Sequence, residues 1–219
     1  MRFLSNLLPL LKASSETTPH FSRSISIFSA GYEERINFDD LDLKNTFSTR
    51  RCAAHTIVMN DFMTEEFAAR APGTTFIHSS PLAVKTALGR DAPLWVRVLA
   101  QAAGLLFAPL FVGEKETGER YTFLATSALY PPFKPGGDEP RAKGIAVPWG
   151  VKTVMQGADG RDGSGAYLVN WSNEPTGSKK LLQEYREKGT GKIVWEHTMG
   201  IFERVEKLNQ NRAAGKTTA

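Results

Sequence analysis

Three consecutive segments constrain this chain more than anything else in it. Residues 22–31, SRSISIFSAG, set Ile25 and Ile27 against Ser24 and Ser26 and finish at Gly31, the alternation of a short strand entering a turn. After a polar, acidic connection, residues 46–71 repeat Phe47, Ile57, Val58, Met59, Phe62, Met63 and Phe67 at helical spacing. Thr46 is the predicted cap, and Ala71-Pro72-Gly73 the stop. Residues 74–80, TTFIHSS, are rich in β-formers and predict a second strand. Strand, long helix and strand in succession predict a βαβ unit, hence an α/β fold with a parallel sheet and flanking helices.

The rest of the chain fits around that unit. Residues 1–15 imitate a signal peptide, but Asn6 and Pro9 interrupt the apolar stretch, which reads instead as an amphipathic helix with one face on the core. Residues 93–112 have almost the length of a membrane span. Arg97, Gln101 and Pro109 within it predict a buried or substrate-facing helix rather than one crossing a membrane, with a helix lying on a membrane surface as the lesser alternative. A helix follows in GEKETGERYTFLATSALY, then an exposed loop over 131–144 with four prolines and three glycines. A third strand is predicted over 165–171 and a closing amphipathic helix over 191–208. The 219 residues are read as one domain over 1–208 with a frayed, disordered tail at 209–219.

Composition narrows the class. With 41% hydrophobic and 23% charged residues the chain is neither fibrous nor disordered. Its charge of +4 comes from scattered residues, not the concentrated basic face that nucleic acid requires. Cys52 is the single cysteine, so no intrachain disulfide forms and the cytoplasm is the expected compartment. Glycine-rich phosphate loops, a nucleophile elbow and metal-ligand spacings are missing, and His20, His55, His78 and His197 are dispersed, so no metal is expected.

One helical face stands out. Phe47, Arg51 and His55 are spaced at i, i+4 and i+8, which on a helix aligns an aromatic ring, a cation and an imidazole. His55 is the member able to move a proton near neutral pH, or else a helix–helix contact. Tyr32, three residues after Ser29, is read as a surface tyrosine, and Lys85 as solvated.

The order of ISIFSAG, FSTRRCAAH and TTFIHSSPLAVKT resembles the C-terminal half of the short-chain dehydrogenase/reductase family. There a strand ends at a catalytic serine, the next helix carries Tyr-x-x-x-Lys, and the following strand ends in Pro-Gly with a threonine shortly after. The resemblance puts Ser29 at the serine, Phe47 at the tyrosine, Arg51 at the lysine, Pro81 and Leu82 at Pro-Gly, and Thr86 at the cofactor-touching threonine. It extends over roughly residues 1–127, and the style of the segments is most similar to retinol-dehydrogenase-like members of fungal secondary metabolism. It implies a partial Rossmann-like, doubly wound sheet lacking the first βαβ unit, an NADP or NAD cofactor touched by Arg51, Pro81 and Thr86, and a hydrophobic small-molecule substrate.

The departures matter as much. Phe47 has no exchangeable proton, and general acid-base help contributes about 10²–10⁴ in rate, so ordinary hydride-transfer chemistry is expected to be impaired. The glycine-rich turn that would hold a pyrophosphate is absent from these residues, which puts independent cofactor binding in doubt. The alternatives are a non-catalytic pseudo-enzyme that binds a metabolite or pairs with a relative, and a non-redox isomerase or cyclase. A sheet beginning at SISIF also exposes an edge, so a homo- or hetero-oligomer covering it is expected.

Overall fold

A computed structural model describes residues 1–17, 22–84, 93, 111–133, 147 and 154–214. Thr86, Lys85, His20, most of the expected helix over 93–112 and most of the 131–144 loop lie outside the described residues.

The chain opens with α1 (Arg2–Thr17), which tolerates Pro9 in its interior. It continues through β1 (Arg23–Ile27), a 3₁₀ turn (Phe38–Asp40), α2 (Thr49–Arg70) and β2 (Thr75–Ser79). Short strands β3 (Ala83–Val84) and β4 (Phe111–Val112) pair with each other in parallel. Next come α3 (Glu114–Thr126), β5 (Ala166–Val169), α4 (Lys179–Glu187) and α5 (Thr190–Ala213). The main sheet has the order β1-β2-β5 and is parallel throughout, with Ile25 opposite Ile77 and His78 opposite Leu168. The α/β class, the parallel βαβ unit and the partial Rossmann-like arrangement are therefore as expected.

Alternation along the strands sends side chains to two cores. Phe76 and Leu168 face Val58, Phe62, Met63 and Phe67 of α2, with Tyr185 of α4 and Val194 of α5 closing that side. Ile77, Tyr167 and Val169 face the other way, against Leu124 of α3 and Tyr130. Every residue of β2 is buried, as befits a strand covered on both faces and paired on both edges.

Four sequence expectations need correction. α2 begins at Thr49, not Thr46, with Ser48 in extended conformation (φ −152°) accepting from the Arg51 N–H at 3.2 Å. Thr46 is unavailable as a cap because the Asp40 carboxylate already takes its N–H and its hydroxyl, along with the N–H groups of Lys44 and Asn45. Phe111–Val112 is a strand, not the end of a helix. α4 precedes the closing helix unannounced, and α5 runs on through Ala213, past the predicted start of the tail, because Gln210, Asn211, Arg212 and Ala213 carry no helix breaker. The two helices join at Gly189, whose left-handed φ of 71° lets the chain reverse.

Candidate functional site

The carboxyl ends of parallel strands are where α/β proteins place their chemistry. Here those ends lead into Phe28-Ser29-Ala30-Gly31 after β1 and Ser80-Pro81-Leu82 after β2. The turn after β1 is held from below by a pair of fully buried side chains. Asp61 of α2 and His78 of β2 meet through Oδ1 and Nδ1 at 2.6 Å. The Ser29 backbone N–H donates to His78 Nε2 at 3.3 Å, so the imidazole proton resides on Nδ1 and is donated to Asp61. The Phe28 ring stacks over His78 with centroids 6.4 Å apart.

Burial dominates the electrostatics of this pair. It depresses the His78 pKa to about 4, so the ring is neutral across the physiological range. It also pushes the Asp61 carboxyl well above the usual carboxylate range, with Glu33 and Glu65 adding to the effect and Arg186 opposing it. Asp61 Oδ2 is buried without a hydrogen-bond partner. The order Asp61, His78, Ser29 imitates a catalytic triad, but Nε2 is occupied by a backbone amide rather than by the serine hydroxyl. The pair braces the turn and does not activate Ser29.

A second amide of the same turn is also taken. Gly31, at φ 94° with no room for a Cβ beside Thr176, donates its N–H to Glu33 Oε1 at 2.7 Å, and Glu33 Oε2 accepts from Ser178 N. On the opposite face of the sheet, Ser79 Oγ and the Tyr121 phenol lie 3.2 Å apart. Burial raises the Tyr121 pKa, so it keeps its proton.

The predicted helical face divides. Phe47 lies two residues before α2 and is 68% exposed, so it does not share a face with Arg51. Arg51 is exposed in the first turn, with Nη1 donating to the Thr46 carbonyl at 3.0 Å. His55, one turn on, is only 3% exposed, and its Nε2 accepts from the Asn37 N–H at 3.0 Å. Burial lowers its pKa, and the ring is a strut for the 37–41 loop. Arg51 and His55 thus keep their helical spacing and differ in environment, while Ser29 sits in the strand-end turn as predicted.

After β2, half-buried Pro81 precedes Leu82, whose φ is 58°. A left-handed backbone is strained for leucine and free for glycine. Leu82→Gly should therefore stabilise the protein by up to about 1 kcal/mol in urea titrations, and a lower midpoint would mean that the leucine side chain contributes more by packing than its backbone costs. Among the residues missed from sequence, Asp61 had a signal: a lone carboxylate inside the apolar run IVMNDFM needs a buried partner. His78 supplies it, and no pattern in the sequence links two residues 17 apart in this way.

Comparison with known proteins gives these features a setting. The chain is 38% identical to an oxidoreductase of Emericella nidulans over 209 residues, covering 93% of this chain and 58% of that protein. It is 31% identical to an oxidoreductase of Emericella variicolor, over 94% of this chain and 58% of that one. A short-chain dehydrogenase/reductase of Stachybotrys chartarum is 26% identical over 95% of this chain and 57% of its own length. The chain thus resembles fungal oxidoreductases and spans a little under three-fifths of the length of these curated relatives. No family model matches it, and no solved structure does. Among the described residues, no helix is long and apolar enough to cross a membrane, and no cluster of metal-ligating side chains is present.

Proposed function

We propose that this is a short-chain dehydrogenase/reductase-type protein of fungal secondary-metabolite biosynthesis whose ordinary hydride-transfer chemistry is impaired. The observation that carries the family assignment is the turn after β2. The resemblance puts Leu82 at a glycine, and Leu82 adopts φ 58°, a conformation that glycine holds without strain. The oxidoreductase relatives match the stretch containing both this turn and Ser29.

Oxidoreductases of this type use a nicotinamide cofactor, NADP or NAD. The described residues fit such a group poorly. The Ser29 and Gly31 amides already donate to His78 and Glu33, and Arg51 is engaged with a neighbouring carbonyl. Phe47 lacks a proton to give. These facts favour, as a second reading, a non-catalytic protein that binds an apolar metabolite or a protein partner.

Titration with NADPH and NADH, followed through tryptophan fluorescence, tests the impairment. Neither nucleotide is expected to saturate at micromolar concentration, and tight saturable binding of either would overturn the reading. The double variant Phe47→Tyr with Arg51→Lys is expected to gain no carbonyl reductase activity, because residue 47 precedes the helix. Turnover in that variant would mean that the tyrosine reaches a competent pocket.

A further inference from the structure

The rung from Phe28 N to Ser79 O, at 2.8 Å, is followed by a tie of another kind. The next amide, that of Ser29, donates to a side chain, His78 Nε2, at 3.3 Å. The other ring nitrogen donates to Asp61 Oδ1 at 2.6 Å, and both side chains have zero exposure. Ala30, the next residue of the turn, is also buried. Bulk solvent therefore does not reach the imidazole while the turn is closed.

A backbone carbonyl accepts a hydrogen bond at any pH, but an imidazole nitrogen does so only while it carries no proton. A proton added at Nε2 makes it a donor and sets it against the Ser29 N–H, which loses its acceptor. The bond to Asp61 survives that addition, since Nδ1 is a donor in both states. The conflict falls on the turn alone. Its far end has a separate hold, because the Glu33 carboxylate accepts from Gly31 N and from Ser178 N. Ser29 and Ala30 thus lie between two fixed points. The charged groups acting on the pair are Glu65 of α2, Glu33 of the turn and Arg186 of α4. On the flanking strands, uncharged Ser26 and Leu168 stand in register with His78.

We propose that His78 and Asp61 form a proton-operated latch: one proton taken up at Nε2 frees the Ser29 amide and opens Ser29 and Ala30 to solvent, while the sheet, α2 and the Glu33 tie stay in place. The closed form resists the proton, because burial depresses the ring's pKa to about 4. A hydrated ring, near its ordinary value of about 6.5, takes the proton more readily. By linkage, opening becomes easier as pH falls below that value. The position of Ser29 at the carboxyl ends of the strands then depends on acidity. The latch uses no nucleotide and does not rest on the reductase reading.

The test is NMR of the 219-residue protein between neutral pH and about pH 4, following the His78 ring nitrogens and amide exchange together. Protection at Ser29, corrected for the intrinsic pH dependence of exchange, is expected to fall about tenfold or more in step with protonation of the ring. The amides of Phe76 and Ser80, bonded to Gly165 and Val169 carbonyls, are expected to keep theirs. Constant Ser29 protection while the ring titrates overturns the proposal, since the turn then stays closed. Loss of protection at Ser29, Phe76 and Ser80 together also overturns it, since the sheet then unfolds as a whole. Two variants locate the proton. His78→Gln offers an amide oxygen that accepts at every pH, and its Ser29 protection is expected to show no step. Glu33→Gln removes the carboxylate at the other end of the turn, and the step is expected to persist. A step that survives in His78→Gln or vanishes in Glu33→Gln assigns the proton elsewhere and overturns the latch.

Discussion

Replacing His78 with alanine should lower the unfolding free energy by about 3–5 kcal/mol, measured as a shift of the urea midpoint at neutral pH. The loss is large because the variant does more than remove a contact. It strands the Asp61 carboxyl at zero exposure with neither oxygen paired, and it takes the acceptor from the Ser29 N–H. Asp61→Asn should cost less, since the amide oxygen still accepts the Nδ1 proton. If both variants unfolded at the wild-type midpoint, the brace would have no energetic weight.

The same pair has a pH signature. His78 has a folded pKa of about 4 against an ordinary value near 6.5, so the unfolded chain binds the extra proton first. Its contribution is fully present above pH 6.5 and is lost as pH falls toward 4, amounting to roughly 3 kcal/mol. Asp61 works in the opposite sense. Its raised pKa means that the folded state holds a proton the unfolded state releases, so stability declines as pH rises through the folded value. Asp61→Asn removes the opposing contribution, and its stability should fall more steeply than wild type between pH 6.5 and 4.

The second large effect lies at Phe67, where three elements meet. Its ring stacks on Phe76 of β2 at 5.7 Å and meets the edge of Trp195 of α5 at 5.2 Å, with no exposure to solvent. Phe67→Ala should cost about 3–5 kcal/mol, the transfer free energy of the ring plus the cavity left behind. Because Trp195 also lies under the Arg70 guanidinium, 3.7 Å from ring centroid to Cζ, its fluorescence should report the loosened packing in the folded state. A loss below 1 kcal/mol would mean that α5 collapses into the space.

The residues that hold the turn after β1 and those at the start of α2 lie in different environments. The residues that hold the turn after β1, His78, Asp61 and Glu33, are buried or hydrogen-bonded to the backbone. Those that the resemblance puts at the proton-transfer position, Phe47 and Arg51, lie exposed at and before the start of α2. The turn is held independently of any proton donor.

How far the fold could be read in advance depended on how local its causes are. The alternation in SISI, the β-formers of TTFIHSS and the apolar spacing from Ile57 to Phe67 act within a few residues, and each produced the element expected. The start of α2 did not, because the Asp40 carboxylate reaches six residues forward to occupy Thr46 and shift the cap to Ser48. Phe47 fell out of the helix for that reason, and with it the three-residue face.

The sequence by itself determined the α/β class, the parallel βαβ core and the resemblance to reductases, because side-chain periodicity and backbone propensity are properties of neighbouring residues. Only the tertiary structure decided which polar groups do what. It made His55 a buried strut, joined Asp61 to His78 beneath Ser29 and covered the β5 edge. Those outcomes rest on burial and on hydrogen bonds between residues distant along the chain, and both exist only once the elements have packed.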